Sequence, residues 1–159
     1  MIRTNNTVLR SLRFTFDFSD SKMISIFELA EHAVSRAEVS NWLKKEDLAE
    51  FAELSDKELA IFLNGLINDK RGKQEGPQPV PEERLNNNGI FRKIKIAFDL
   101  KADDILEIME LVDFPLSKHE LSAFFRKADH KHYKPCNDQI LRNFLKGLQL
   151  KFRPDAPGA

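Results

Sequence analysis

The chain is written twice. Sliding the sequence along itself by 82 positions, without gaps, lays residues 5–72 over residues 87–154. Asn5-Asn6 meets Asn87-Asn88, Arg10 meets Arg92, and Phe16-Asp17 meets Phe98-Asp99. Glu28-Leu29 meets Glu110-Leu111, and Ser35, Glu38 and Ser40 meet Ser117, Glu120 and Ser122. Lys45 and Asp47 meet Lys127 and Asp129, while Phe62-Leu63-x-Gly65-Leu66 meets Phe144-Leu145-x-Gly147-Leu148. A duplicated unit buries its apolar face within each copy or against the other, so the fold is limited to two equivalent bodies. The units span residues 1–72 and 87–153, with a linker at 73–86 and a tail at 154–159.

Each unit reads as four helices. Val8, Leu9, Leu12 and Phe16 share one helical face over about Asn6–Phe16, and Ile90, Phe91, Ile94 and Phe98 repeat the phase. Such spacing follows the 3.6-residue period and not the strand period of two. A second helix is expected over Asp20–Glu31, and over Asp103–Asp113 in the other copy. The third opens on Ser35-x-x-Glu38 and Ser117-x-x-Glu120, the capping box in which Ser and Glu satisfy free backbone amides reciprocally. The fourth opens at Ser55-x-x-Glu58 or Asn137 and carries Leu59, Phe62, Leu63 and Leu66, or Leu141, Phe144, Leu145 and Leu148. Gly65 and Gly147 interrupt that stripe at a cost of about 1 kcal/mol relative to Ala, which predicts close approach of another helix. The expected fold is all-α: two tandem four-helix units packed together, since 68 residues alone make a marginal core.

Between the units, Gly76-Pro77-Gln-Pro79-Val-Pro81 favours extended polyproline-like backbone and forbids a helix. The tail from Pro154 is expected to be disordered. Thirteen phenylalanines against one Trp and one Tyr imply an aromatic-filled core. No apolar run approaches the roughly 18–20 residues that cross a bilayer. The amino terminus lacks the apolar stretch of a secretory signal, and the single Cys136 forms no internal disulfide, so a reducing cytoplasm is the expected location. Net charge is zero, with 11 Lys/Arg against 14 Asp/Glu in residues 1–82 and the reverse excess, 14 against 11, in residues 83–159. That offset suits two units that attract each other as well as it suits an anionic partner.

Several clusters bear on chemistry. His130-x-His132-x-x-x-Cys136 has the residue types of a metal site or an activated thiol, yet supplies only three nearby ligands. The repeat gives a control: Cys136 aligns with Leu54, His130 with Leu48 and His132 with Glu50, so structural roles are expected and no metal or cofactor is implied. Asp47 and Asp129 follow Lys45 and Lys127, and capping of a short following helix is preferred over a paired acid site. Arg10, Arg13 and Asp17, repeated as Arg92, Lys95 and Asp99, form one helical stripe that suits an ion-pair ladder, solvated or between units, or a phosphate or partner contact.

The second and third helices look like a helix-turn-helix. Val34, Val39 and Trp42 fall where that motif packs its second helix on its first, and Arg36, Asn41, Lys44 and Lys45 would face a groove or phosphates. The other copy offers Lys118, His119, Arg126 and Lys127. Departures from the motif are Ala33 for the turn glycine, bulky Leu29, His32 at an apolar position, and Pro115 at the second turn. No Gly-rich phosphate loop, Ser/His/Asp order or paired-carboxylate motif occurs, so no enzymatic activity is expected.

Asn5-Asn6-x-x-x-Arg10, Trp42-Leu-Lys-Lys-Glu-Asp47 and Phe62-Leu-Asn-Gly-Leu-Ile-Asn-Asp-Lys-Arg-Gly72 resemble the YehS-like family of uncharacterised bacterial proteins. So do Asn86-Asn-Asn88, Lys93-Ile-Lys-Ile-Ala-Phe-Asp-Leu-Lys101 with Asp103-Asp104-Ile-Leu, and Leu141-Arg-Asn-Phe-Leu-Lys-Gly-Leu148. The resemblance implies a small cytosolic bacterial protein built from two copies of a domain of unknown function, and it brings no site residues. The expected function is a non-enzymatic interaction module for a protein or other macromolecular partner. Nucleic-acid binding through the helix-turn-helix-like segments is the alternative.

Overall fold

A computed structural model describes residues 3–156. Among the described residues there are eight α-helices and no strand. The first unit holds α1 (Asn5–Phe16), α2 (Asp20–Leu29), α3 (Arg36–Leu43) and α4 (Asp56–Arg71). The second holds α5 (Asn87–Ala97), α6 (Ala102–Glu110), α7 (Lys118–Phe124) and α8 (Asp138–Phe152). Both anticipated capping boxes form: the Ser35 and Ser117 hydroxyls each accept from the amide three residues on at 3.0 Å, and Glu38 and Glu120 reach back at 2.9 and 3.1 Å. The second helices end earlier than the periodicity predicts, because Glu31 and Asp113 take left-handed backbone (φ 61° and 53°) and turn the chain. Asp47 and Asp129 cap nothing. Each lies in the first of two successive turns with no helix after it, so the capping expectation is corrected. The tail is described as far as Ala156, which is buried in a turn, so the expected disorder does not hold for Pro154–Ala156; residues 157–159 lie outside the described residues.

Within each unit the first, second and fourth helices close over one core. Phe27 sits 5.2 Å from Phe62 and 5.4 Å from Trp42. In the second unit the ring has changed helix: Met109 stands where Phe27 does, and Phe91, in the place of Leu9, stacks on Phe144 at 4.2 Å. Core volume is thus exchanged between neighbouring slots, which close packing requires. Gly65 and Gly147 lie where α2 crosses α4 and α6 crosses α8. A β-carbon at Gly65 would overlap the Ile26 carbonyl, and one at Gly147 would lie 2.6 Å from the Ile108 carbonyl oxygen.

The units join through their first and fourth helices: α1 packs on α8, and α4 on α5. Exchanging the units maps each contact on the other, which is pseudo-twofold symmetry. Phe16 and Phe98, equivalent residues, stack face to face at 4.2 Å with 13° between the planes. Beside them Arg71 pairs with Asp99 at 3.2 Å, and Arg153 with Asp17 at 3.7 Å, each arginine reaching the aspartate of the other unit. At the opposite end Asp56 accepts the Leu85 amide at 2.9 Å, and Asp138 accepts the Arg3 amide at 3.4 Å. All four central helices therefore begin at one end and finish at the other. Like-directed helix dipoles repel, and aspartates at the starts with Lys70, Arg71, Lys151 and Arg153 at the ends offset that repulsion.

This arrangement explains the linker. Because α4 and α5 run in the same sense, the chain must return along the 16-residue α4, about 24 Å. The 14 residues of 73–86, extended at about 3.1 Å each, span that distance with slack. Asn68 anchors the return by donating to the side-chain amide oxygen of Gln78 at 2.9 Å. No helix among the described residues is long and apolar enough to cross a membrane.

The interface aspartates give the fold a pH dependence. Burial alone would raise the Asp56 carboxyl, but the Asn5 amide, the Leu85 N–H and the charges of Arg3 and Arg84 outweigh it and hold it below its ordinary value. At Asp138 the Asn87 amide leads in the same direction, helped by Arg3 and Arg142 against burial. A carboxyl lowered on folding stabilises above its unfolded pKa, near 4, and that contribution disappears as pH falls through the folded value. The urea-midpoint gap between wild type and the Asp56→Asn/Asp138→Asn variant should therefore narrow from about pH 5 to about pH 3. A gap constant with pH would show that these carboxylates do not carry the effect.

Candidate binding surface on the second unit

The connector from third to fourth helix has the same backbone in both units. In the first, Leu48 N–H bonds the Lys45 carbonyl and Phe51 N–H the Leu48 carbonyl, both at 3.1 Å. In the second, His130 bonds Lys127 and Tyr133 bonds His130, both at 2.9 Å. Asn6 and Asn88 then stitch the connectors to α1 and α5. The Asn6 amide donates to Trp42 and Ala52 carbonyls at 2.9 Å and its oxygen accepts from Leu54 N–H at 3.0 Å. Asn88 does the same with Phe124, Lys134 and Cys136.

On this shared frame the charge reverses. Residues 44–54 carry two lysines against four acids, Glu46, Asp47, Glu50 and Glu53, a net −2. Residues 126–136 carry Arg126, Lys127, Lys131 and Lys134 against Asp129 alone, a net +3, with His130 and His132 among them. Arg10 and Arg92 mark the difference. Arg10 donates to the Lys44 carbonyl at 2.7 Å and pairs with Glu46 at 2.9 Å. Arg92 donates to the Phe125 carbonyl at 2.9 Å, and Ala128 stands in the place of Glu46. Arg92, Arg126, Lys127 and Tyr133 line a cavity of about 300 Å³ there. Lys95 lies over the Phe125 ring at 5.4 Å on the same side.

Most of the other candidate residues have partners within the chain. Arg36 reaches Asp20 at 3.5 Å and Ser21 at 3.3 Å, Arg13 reaches Asp20 at 3.8 Å, and Lys118 pairs with Asp103 at 3.3 Å. Asn41 accepts the Lys44 ammonium at 2.8 Å, while Lys45 is exposed. His119 is exposed, its ring 6.4 Å from that of His132. In the helix-turn-helix-like segment Val39 and Trp42 are buried, but each outward cation of α3 and α7 is neutralised by an acid of the preceding helix. Arg126, Lys127 and Lys131 have no ion pair among the described residues. Sequence reasoning singles out neither Lys131 nor Tyr133. The signal lay in comparing the charges of the two aligned connectors.

Cys136 is buried with its thiol pushed up to about 12, chiefly by burial, with Asp138 adding to the effect. Such a thiol holds almost no thiolate near neutrality and is a poor nucleophile. His130 and His132 lie on the exposed turn. Among the described residues no three His, Cys, Asp or Glu side chains are grouped to hold a metal ion.

The two units match, one after the other, the family described as "Protein of unknown function (DUF1456)", over residues 5–72 and 87–153. The chain belongs to that family. It is 42% identical over 148 residues to the "Uncharacterized protein YehS" of Escherichia coli (strain K12), covering 92% of this chain and 95% of that one. No solved structure matches the chain. The matched segments coincide with the two helical units and leave the linker between them.

Proposed function

We propose that this protein is a non-enzymatic interaction module that holds an anionic macromolecule on the connector end of its second unit. The observation that carries this is the charge reversal between connectors 44–54 and 126–136 on one backbone frame. The apolar cleft between α1 and α8, about 260 Å³, is lined by Thr7, Phe14, Leu145 and Gln149 with Arg3 and Lys146, a set without a carboxylate or imidazole for acid–base work. Nucleic acid suits the basic connector best. Arg126, Lys127 and Lys131 supply phosphate contacts, and Tyr133 with the rings of His119, His130 and His132 supplies surfaces on which bases stack. Use of α3 and α7 as recognition helices draws less support, because Arg36 and Lys118 already have acidic partners.

Fluorescence anisotropy with random-sequence DNA and RNA tests this. Affinity should fall roughly 50- to 150-fold between 50 and 200 mM salt for about four phosphate contacts. Arg126→Glu with Lys127→Glu should abolish binding at 50 mM salt, while Lys44→Glu with Lys45→Glu should leave most of it. Retention of polyglutamate but of neither nucleic acid would make the partner an acidic protein. Retention of none of the three at low salt would sink the anionic reading altogether.

A further inference from the structure

We propose that the cavity beside Arg92 is a discrete site for a phosphate group, because the first unit answers the equivalent arginine with a carboxylate of its own and lines its matching cavity, of about 240 Å³, with Glu46 and Glu53. The inference deepens the functional reading above and shares its surface, but the pocket stands or falls by itself. In the first unit the guanidinium of Arg10 is satisfied twice, by the Lys44 carbonyl and by Glu46 Oε1 at 2.9 Å. The Arg10 hydrogen bond is the leading reason that the Glu46 carboxyl lies below its ordinary value, so the built-in anion stays charged. The second unit keeps the arginine, the turn and the asparagine stitching, and removes the anion. Ala128 replaces Glu46, Arg126 replaces Lys44, and the phenolic hydroxyl of Tyr133 appears where Phe51 has none.

The lining then selects the ligand. Arg92, Arg126 and Lys127 present three positive charges, and Tyr133 a hydroxyl donor, around about 300 Å³. Asp129, in the same turn, forms no ion pair with any of them. A carboxylate would answer one guanidinium. A tetrahedral dianion with several acceptor oxygens answers the whole set, and arginine's planar fork matches phosphate bidentately. The phosphate would come from inorganic phosphate, a phosphomonoester or a nucleic-acid backbone.

The test is amide-shift NMR on the full chain at low salt, titrated separately with inorganic phosphate, uridine monophosphate and a short oligouridylate. Amides of Gly89, Arg92, Lys127 and Ala128 should shift with at least one probe, and the tightest probe names the source. Ala128→Glu copies the first unit's own carboxylate onto an exposed turn and should weaken that binding about tenfold or more. Glu46→Ala with Glu53→Gln removes both carboxylates that line the first unit's cavity and should do the reverse, creating a second set of shifting amides around Arg10 and Lys45. No shift with any probe, an unchanged affinity in Ala128→Glu, or no gain in that double variant would each overturn the assignment. Oligonucleotide binding that survives Ala128→Glu refutes the pocket and leaves the basic surface standing. Phosphate binding without any oligonucleotide binding does the opposite.

Discussion

Gly65→Ala should destabilise the protein by about 3 kcal/mol or more, from one added methyl group. The expectation runs against helix propensity, which favours alanine over glycine by about 1 kcal/mol in a helix interior. Space decides the sign. The new β-carbon would overlap the backbone carbonyl of Ile26, and a carbonyl locked in the α2 hydrogen-bond ladder cannot rotate aside as a side chain can. The whole of α2 must then move off α4, and Met23, Ile26 and Phe27, all fully buried, lose their contacts with Leu59, Phe62 and Leu63. Gly147→Ala is the milder change. There the nearest atom is the Ile108 Cγ2 at 2.5 Å, which can turn away, although the Ile108 carbonyl at 2.6 Å still resists. Urea denaturation followed by circular dichroism should place Gly65→Ala below Gly147→Ala and both below wild type. Against a total stability of about 5–15 kcal/mol, the first variant should unfold in part at 37 °C. A Gly65→Ala protein as stable as wild type would mean that α2 and α4 do not approach as described.

What the sequence reveals here is whatever one helix or one turn determines. The stripes of Val8, Leu9 and Leu12, the boxes at Ser35 and Ser117, and the two glycines are local signals, and all reappear in the structure. Pairings made across the pseudo-twofold axis are not local. Phe16 and Asp17 align with Phe98 and Asp99, but the alignment does not say that the rings stack on each other or that each aspartate meets the other unit's arginine. The Arg10–Arg13–Asp17 stripe looks like one ladder, yet its members go to Glu46, Asp20 and Arg153 in turn. Asp47 follows the pattern of a helix cap, but what comes next is two turns held by Asn6, a residue some forty positions earlier. The candidate surface was half legible for the same reason. Arg126 and Lys127 are visible as charges, whereas their lack of ion pairs stands out only once Arg36, Lys118 and Arg10 are seen paired with Asp20, Asp103 and Glu46.

The framework and the surface of this duplicated chain have therefore followed different rules. Where helix backbones cross, connectors are stitched down or the units join, both copies keep one solution: Gly against Ile, Asn against three backbone groups, Arg against Asp across the axis. Where the connectors face solvent, one copy is acidic and the other basic. Close packing penalises change in the first class by several kcal/mol, and solvent tolerates change in the second within a few tenths. The connectors, where the basic cavity lies, are solvent-facing segments whose charge reverses between the copies.

The framework half of that contrast can be measured at Asn6 and Asn88. Each asparagine is almost fully buried, at 3% and 6% exposure, and each satisfies two carbonyls and one amide of its connector. Truncation to alanine leaves all three backbone groups without their partner. A buried group so orphaned costs about 1–3 kcal/mol, and water entering the gap recovers part of that, so Asn6→Ala and Asn88→Ala should each cost about 3–4 kcal/mol. Pseudo-symmetry demands that the two costs be similar. Asn6→Asp separates the contributions further. The carboxylate keeps the acceptor for Leu54 N–H, loses both donors, and sets a negative charge against the Trp42 and Ala52 carbonyls, so at neutral pH it should be worse than alanine. Lowering the pH protonates it, restores one donor, and should narrow the gap between the two variants. Urea midpoints for the three proteins at pH 7 and near the carboxylate pKa of about 4 decide the matter. An Asn6→Ala protein within about 1 kcal/mol of wild type would show that the connector holds its shape without the stitch, and that the shared frame beneath the two charge patterns has another origin.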